Sequence, residues 1–579
     1  MLIVQWILSM LAIAGTWAIY AAALVGVGLL CRMRIDGWGS AAMALWLGWA
    51  VVIAGLQLAH FVMPIHGGLA VLMIVLGGVG LIVHRKQWLT LRMDRRGVML
   101  LMMVLLWMAN RAAGPGVAHD SGLYHYHTMG WFQAFPIVPG LGNLHIRLGF
   151  NHAFLLWAAL VDTGPWQGRG EHLASGFVLA MLGLMAAWAM RRIAGGARHP
   201  AMILAAGCAA PVMLAALGND VSSPRTDFPT AAVILVGAWT LLRDDAPWSL
   251  RLALAGLMPA MKLSAAGFGL GMVMLAGIAG RRSHGPAARC RFVMLLIPLI
   301  WVGPWLARGM VLSGHPMFPS SIGAIEVGWR VPESLAAAER DNIRQFSRLG
   351  NAQLAMGVLG SRLPLRTDPG ALEGGRWLPA WIVGTAFTGP IHVLAPLALG
   401  ILGLVGGGWR IGRLALPGLL GAGVWFLAAP EPRFGVGVMW ALGLMLWAGA
   451  TPHRSRTLLV IGSLLIATIV WSAGVQMVLR KRMPWETIPL ILPGPDHGMH
   501  PHPQAGFESW STNWGLSLEV PIGDYTVWRG PLRSTGFPHP DLRLRTPDHP
   551  ADGFEIVRHP TAPEHEIRLP RGVTPPALP

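Results

Sequence analysis

Ile3-Val-Gln-Trp-Ile-Leu-Ser-Met-Leu-Ala-Ile-Ala-Gly-Thr-Trp-Ala-Ile-Tyr-Ala-Ala-Ala-Leu-Val-Gly-Val-Gly-Leu-Leu30 runs without a charged side chain and is followed at once by Cys31-Arg32-Met33-Arg34. At about 1.5 Å per residue a helix of this length exceeds the roughly 30 Å of a bilayer's hydrocarbon core. No Lys or Arg precedes the run and no polar cleavage region follows it. A signal peptide has a basic start and a shorter core, so the stretch reads as an uncleaved membrane span. The same unit, an apolar run closed by arginines, recurs along the chain and decides the fold class.

Composition agrees with that reading. Hydrophobic residues make up 54% of the chain and charged residues only 12%, against about 25% charged in soluble proteins; mean hydropathy is +0.52. The net charge of +17 could point to nucleic acid. The basic residues, however, sit in short clusters between apolar runs: Arg32 and Arg34; Arg85, Lys86, Arg92, Arg95 and Arg96; Arg191, Arg192 and Arg198; Arg243 and Arg251; Arg281, Arg282, Arg289 and Arg291; Arg410 and Arg413; Arg454 and Arg456. That is the positive-inside pattern, and no nucleic-acid partner is expected. Placing a helix on each side of every cluster predicts an all-α polytopic protein of about fourteen transmembrane helices. The spans fall near 3–30, 41–61, 67–84, 98–112, 172–190, 200–217, 228–243, 249–261, 264–280, 291–310, 389–408, 414–429, 434–450 and 457–478. Both termini then lie outside. Cys31, Cys208 and Cys290 fall at the inner boundary, within a helix and in an inner loop, so none is placed for an outside disulfide.

The transmembrane domain is predicted over residues 1–482, with long outer loops at 113–171 and 312–376, and residues 483–579 form a C-terminal outer segment. The apolar stretch Phe150 to Val161 is expected at the outer surface as a re-entrant or interfacial segment, because a full span there would move Arg191 and Arg192 outside. The tail is rich in Pro, His and Gly and alternates at Leu516, Leu518 and Val520, which predicts a small irregular β cap. Arg480, Lys481 and Arg482 would be a local exception to the charge rule.

Function is expected in the outer segments. The first contains His119-Asp120-Ser121-Gly122-Leu123-Tyr124-His125-Tyr126-His127, and a carboxylate so near the bilayer is costly unless used or paired. With Ser121 as N-cap, a helix from Leu123 to Phe135 would set Asp120, Tyr124 and His127 on one face. The competing reading makes Asp120 a helix cap and the histidines and tyrosines an interfacial belt. Zinc on His119, Asp120, His125 and His127 is disfavoured on a helix, where His125 and His127 point apart. A second outer loop, Gly218-Asn-Asp220-Val-Ser-Ser-Pro-Arg225-Thr-Asp227-Phe-Pro229, puts Asp227 at the top of a helix, as a cap or as a second site carboxylate. Lys262, Arg308 and Arg433, the last in Pro430-Glu431-Pro432-Arg433, stand at other outer helix ends. Single cations there usually snorkel to the interface, whereas several converging on one cavity would suit a phosphate or pyrophosphate.

These residues resemble the GT-C class of membrane glycosyltransferases. The likeness lies in the many spans, the acidic residue early in a large first outer loop, Pro-Ala-Met-Lys262-Leu-Ser-Ala-Ala, and Trp305-Leu-Ala-Arg308-Gly-Met-Val-Leu-Ser-Gly314-His-Pro316-Met-Phe-Pro319. More narrowly, the segment from His119 to His125 and Gly140-Leu-Gly-Asn143-Leu-His145-Ile-Arg147-Leu-Gly-Phe150-Asn151 resemble an uncharacterised bacterial membrane-protein family. The resemblance implies a GT-C-like fold in a bacterial inner membrane and a polyprenyl-phosphate sugar donor. It implies Asp120 and Asp227 as catalytic carboxylates, and His119, Tyr124, His127, Asn151, Arg225, Lys262, Arg308 and Arg433 as substrate-binding residues. The paired acidic motif of many GT-C enzymes is absent, which favours a single general base and no cofactor while leaving a divalent metal open. Three spans, rather than none, also precede the one that leads into the acidic loop.

The function so implied is transfer of a sugar to an envelope acceptor on the outer face; the alternative is a transporter or flippase of a lipid-linked or anionic substrate. Polar residues at outer helix ends rather than at the midplane favour transfer. Reporter fusions or cysteine labelling at Gly116, Ser347 and Gly506 are expected to report the outside, and at Gln87 and His284 the inside. Cytoplasmic labelling at Gly506 would remove the even number of crossings.

Overall fold

The structure, a computed structural model, describes residues 2–218, 220–281, 293–351, 370–389, 391–450, 462, 499 and 502–560. Outside the described residues lie the expected span 457–478 apart from residue 462, Cys290, Arg282, Arg289, Arg291, Arg454, Arg456, Arg480, Lys481, Arg482, the labelling position His284, and parts of the second long loop and the tail.

The chain is mostly helical, at 67% helix. Numbering the longer helices in chain order, α1 is Leu2–Leu30, α2 Trp38–Ala59, α3 Gly67–Val83 and α4 Arg95–Ala112. Across the first long loop follow α5 (Tyr126–Ala134) and α6 (Phe154–Val161), then α7 (Ala174–Ala194), α8 (Pro200–Gly207) and α9 (Ala209–Leu217). Next come α10 (Asp227–Leu241), α11 (Trp248–Met261), α12 (Ala266–Arg281), α13 (Leu299–Ser313) and α14 (Glu333–Gln345). The series continues with α15 (Leu378–Thr388), α16 (Leu394–Val405), α17 (Leu416–Ala428) and α18 (Pro432–Ala450). Among the described residues, six helical segments are long and apolar enough to cross a membrane: Val4–Leu30, Trp38–Ala59, Gly170–Ala194, Pro200–Leu217, Gly408–Ala428 and Pro432–Ala450. This is consistent with a helical membrane protein. Shorter apolar helices stand at several of the other expected spans.

Small residues bring the backbones together, as is usual where lipid supplies no hydrophobic drive between helices. A Cβ on Gly26 of α1 would sit 1.9 Å from the Gly77 carbonyl oxygen of α3, and one on Gly48 of α2 would sit 1.9 Å from the Leu24 carbonyl oxygen of α1. A larger residue at either position would force these helices apart. Helix α11 stops at Lys262, whose backbone is extended (φ −163°, ψ 135°), and the chain turns through Leu263–Ala265 before α12 begins. The break sets the Lys262 amine at the same end of the bundle as the long loops.

Two expectations change. Of the two forms expected for Phe150 to Val161, the interfacial one is replaced: every residue of α6 is enclosed by protein, and the helix packs on α2, α3, α5 and α7. Its eight residues span only about 12 Å, too short to cross and apolar enough to be enclosed. Helix α15, in turn, was not expected; Gly and Pro flank an apolar run too short to read as a span.

The tail holds two antiparallel hairpins, β1 (Phe507–Ser511) with β2 (Ser517–Pro521) and β3 (Leu542–Leu544) with β4 (Phe554–Ile556), as the alternation at Leu516, Leu518 and Val520 implies. The hairpins sit on the first long loop. Leu518, Leu542 and Phe554 share a buried cluster with Leu123, Trp131, Leu141 and Leu144. The Gly122 carbonyl accepts from the amides of Val527 (3.0 Å) and Trp528 (2.7 Å), and a Cβ on Gly122 would lie 2.6 Å from the Trp528 ring. Arg529 reaches into the bundle, 2.8 Å from Asp162 and 2.7 Å from Glu171, both carboxylates being only 1% exposed. Removing one partner of a buried ion pair typically costs about 3–5 kcal/mol, because the others keep their charge without compensation. Arg529→Ala is therefore expected to lower the melting temperature and open residues 502–560 to protease; an unchanged cleavage pattern would mean that the apolar contacts alone hold the tail.

Candidate functional site

The long loops and the helix ends beside them carry the polar cluster. At its centre, Asp120 Oδ2 accepts from Arg433 Nη1 at 2.6 Å, while Oδ1 lies 3.6 Å from Arg147 Nη1 and 3.9 Å from His119 Nδ1. The Asp120 side chain makes no capping bond to the turn that follows it, so the helix-cap reading does not describe it. Burial alone would raise the Asp120 carboxyl, but the charge of Arg433, the His119 contact and the charge of Arg147 hold it well below the usual carboxylate range.

The turn Ser121–His125 is a π-helix, in which hydrogen bonds step one residue further than in an α-helix. That extra residue breaks the single face expected for Asp120, Tyr124 and His127. Asp120 turns to Arg433, whereas Tyr124 is enclosed among His125, Phe150 and His152. His127 Nε2 lies 3.0 Å from the Leu532 carbonyl oxygen in the tail. Ser121 is no N-cap; its Oγ lies 3.2 Å from His125 Nδ1. His119 is exposed and meets the Tyr525 ring edge-on at 5.4 Å.

Asp227 occupies the first turn of α10. It pairs with Lys262 and stands 3.8 Å from Arg225, which in turn lies 2.8 Å from Asp220. The Phe434 ring joins this group to the first: Lys262 Nζ is 4.0 Å from its centroid and Arg433 Cζ 5.2 Å. Both cations thus contact one aromatic ring, and each is paired with a carboxylate.

Three further acids complete the cluster. Glu431 Oε2 accepts from Asn351 Nδ2 at 2.8 Å, and Oε1 lies 4.0 Å from Arg433 Nε. Burial pushes its carboxyl up to about 7, against the opposing effects of Arg433 and Asn351. Glu339 of α14 stands 3.4 Å from Arg147. Burial also raises Asp220 and Glu339, with Arg225 and Arg147 respectively acting against it. His125 and His152 line the same region as neutral rings, burial lowering His125 to about 3 and His152 well below its ordinary value. Among the described residues neither His125 Nε2 nor His152 Nδ1 has a hydrogen-bond partner.

Of the expected residues, Asp120, Asp227, Arg225, Lys262 and Arg433 come together. Arg308 and Asn151 form a separate, buried unit. Arg308 Nε donates to Asn151 Oδ1 at 3.1 Å, its Nη1 lies 2.5 Å from His60 Nδ1, and its guanidinium stacks over Phe132. Asn151 also bonds Trp305 through its side chain and backbone, and no described contact joins either residue to Asp120 or Asp227. Among the described residues no group of three or more His, Cys, Asp or Glu side chains is arranged to hold a metal ion. Arg147, Asp220, Glu339 and Glu431 were not anticipated as site residues. The first two and Glu431 lie inside quoted motifs; Glu339, on an otherwise polar helix, gives no local signal.

A family profile described as a domain of unknown function (DUF8201) matches residues 10–440. The chain belongs to the DUF8201 family. The match contains every residue of the cluster, from Asp120 to Arg433, and ends before the tail hairpins. No curated protein and no solved structure matches the chain.

In this DUF8201 protein each cation is held by a carboxylate, so an anionic ligand would have to compete for it. Glu431 gives a direct test of the local electrostatics. Between its ordinary value of 4.5 and about 7, the folded protein keeps a proton that the unfolded chain has lost, so Glu431 makes stability fall as pH rises through that window and level off above it. The melting temperature of the wild type relative to Glu431→Gln is therefore expected to fall from about pH 4.5 to about 7. Parallel curves would show that Glu431 is ionised like a surface acid.

Proposed function

We propose that this chain is a membrane glycosyltransferase of GT-C-like fold, with about fourteen spans. It moves a sugar from a polyprenyl-phosphate donor to an envelope acceptor on the outer face of a bacterial inner membrane. The observation that carries the reading is the pairing of Asp120 with Arg433 beside that of Asp227 with Lys262, at the ends of apolar helices where a lipid-linked phosphate would arrive. Both termini and the long loops face outward in this arrangement.

A base buried in an ion pair is a weak one, because efficient proton transfer wants a pKa near the working pH. Donor phosphate and Asp120 compete for the same guanidinium, and Arg binds both in the same planar fashion. When the phosphate takes Arg433, Asp120 loses its strongest stabilising charge and becomes more basic. The acceptor hydroxyl then gives its proton to Asp120 as its oxygen bonds the anomeric carbon. The bond from that carbon to the phosphate oxygen breaks, and polyprenyl phosphate leaves with the electron pair. Arg433, with Lys262 or Arg225, stabilises the charge on the departing phosphate. Asp227 and Asp220 keep those two cations oriented until the donor binds.

In lipid with a polyprenyl-phosphate sugar and an envelope extract as acceptor, Asp120→Asn is expected to lower transfer per folded molecule by about 10²–10⁴-fold. Asn keeps the size of Asp and an oxygen for Arg433 while removing basicity. Full transfer by the folded variant would sink the mechanism; passage of the intact donor across the bilayer with no transfer by the wild type would replace it with the flippase reading.

A further inference from the structure

A second group of charges lies at the other end of α4, the helix that leads into the Asp120 loop. Helix α4 runs from Arg95 to Ala112, about 27 Å at 1.5 Å per residue, and its far end leads into the loop that carries Asp120. At its near end is a cavity of about 170 Å³ lined by Trp38, Arg92, Asp94, Trp188, Arg191 and Arg192 among others. It lies between the start of α2, the first turn of α4 and the last turn of α7.

The charges there are unbalanced. Asp94 is the lining acid, and it is already committed: its Oδ1 accepts the Gly97 amide as the N-cap of α4 and pairs with Arg191. Arg92 and Arg192 have no carboxylate partner among the described residues. Both residues, exposed to the surroundings, line a space far smaller than the roughly 300–1,000 Å³ that encloses a drug-sized ligand, but sufficient for one tetrahedral oxyanion. Trp38 donates its indole N–H to the Arg92 carbonyl at 3.2 Å, fixing one wall; indoles favour the level of lipid headgroups.

The surroundings identify the source of the anion. Immediately beyond the cavity, α4 presents Val98, Met99, Met102 and Met103, all 45–66% exposed. Their spacing places them on one face of the helix. A free phosphate would have no use for this stripe, whereas the acyl chains of a lipid whose headgroup sits in the cavity would lie along it. Basic pockets between membrane helices are a recognised mode of anionic headgroup binding. We infer that the cavity between α2, α4 and α7 is a binding site for the phosphate of an anionic phospholipid, held by Arg92 and Arg192 with its chains against the α4 stripe. The inference is independent of the proposed transferase activity.

The test uses the purified full-length protein in a neutral detergent, titrated with phosphatidylglycerol, phosphatidylcholine or inorganic phosphate while its melting temperature is followed. Phosphatidylglycerol is expected to raise the melting temperature saturably, with the other two giving little. Arg92→Gln with Arg192→Gln should weaken the apparent affinity by on the order of 30-fold, at about 1 kcal/mol for each Arg near a lipid surface. Arg95→Gln with Arg96→Gln, an equal loss of charge outside the cavity lining, should leave the affinity within about threefold. If the first double variant does not fold, each single substitution replaces it, with a several-fold loss expected. An equal response to phosphatidylcholine, an equal response to inorganic phosphate, or equal weakening by the two double variants would overturn the assignment.

Discussion

Arg433 stands at the first turn of α18, 2.6 Å from Asp120 and 4.0 Å from Glu431, over the rings of Phe346 and Phe434. A charge at the end of an apolar helix is costly unless it is paired, and that constraint organises this side of the molecule. Three of the loops on this side are held by such contacts. Asp120 brings in the first long loop, while Asp227 and Arg225 bring in the loop before α10. Arg147 with Glu339, and Asn351 with Glu431, bring in the second long loop. These pairings act beside the apolar packing of α6 and the Asn151 contacts that also hold the first long loop.

The fold was legible because membrane helices announce themselves by length and by the arginines that close them. All six of the long apolar helices fall on expected spans, and the alternation at Leu518 and Val520 gave the tail's first hairpin. What escaped were features set by tertiary contact. Helix α6 is as apolar as a span, and only its burial on every side distinguishes an internal prop from a surface segment. In the candidate site, charges at helix ends could be named but not matched. Lys262 met Asp227 and Arg433 met Asp120, whereas Arg308, of the same residue type at a similar helix end, turned inward to Asn151 and His60. The π-turn at Ser121–His125 escaped for a different reason: one added residue rotates every later side chain, and no local propensity encodes it.

The cluster is nearly self-neutralising, and this shapes what it can bind. Four cations, Arg147, Arg225, Lys262 and Arg433, face Asp120 and Asp227 along with three acids, Asp220, Glu339 and Glu431, that burial pushes toward the protonated form. The neutral imidazoles of His125 and His152, with open nitrogens beside the cluster, add hydrogen-bonding capacity at no electrostatic cost.

The tail latch has a consequence for biosynthesis. Arg529 closes on Glu171 and Asp162 from 358 and 367 residues further along the chain. At a synthesis rate of about 5–20 residues per second, roughly 20–70 s separate the emergence of these acids from that of their partner. During that interval the first long loop must wait, either hydrated or with its carboxylates protonated, and Gly122 has not yet received Trp528. A ribosome that stalls between residues 480 and 500 would leave a nascent protein carrying the matched family region but with the platform beside Asp120 unfinished, because Trp528 and Arg529 are not yet made.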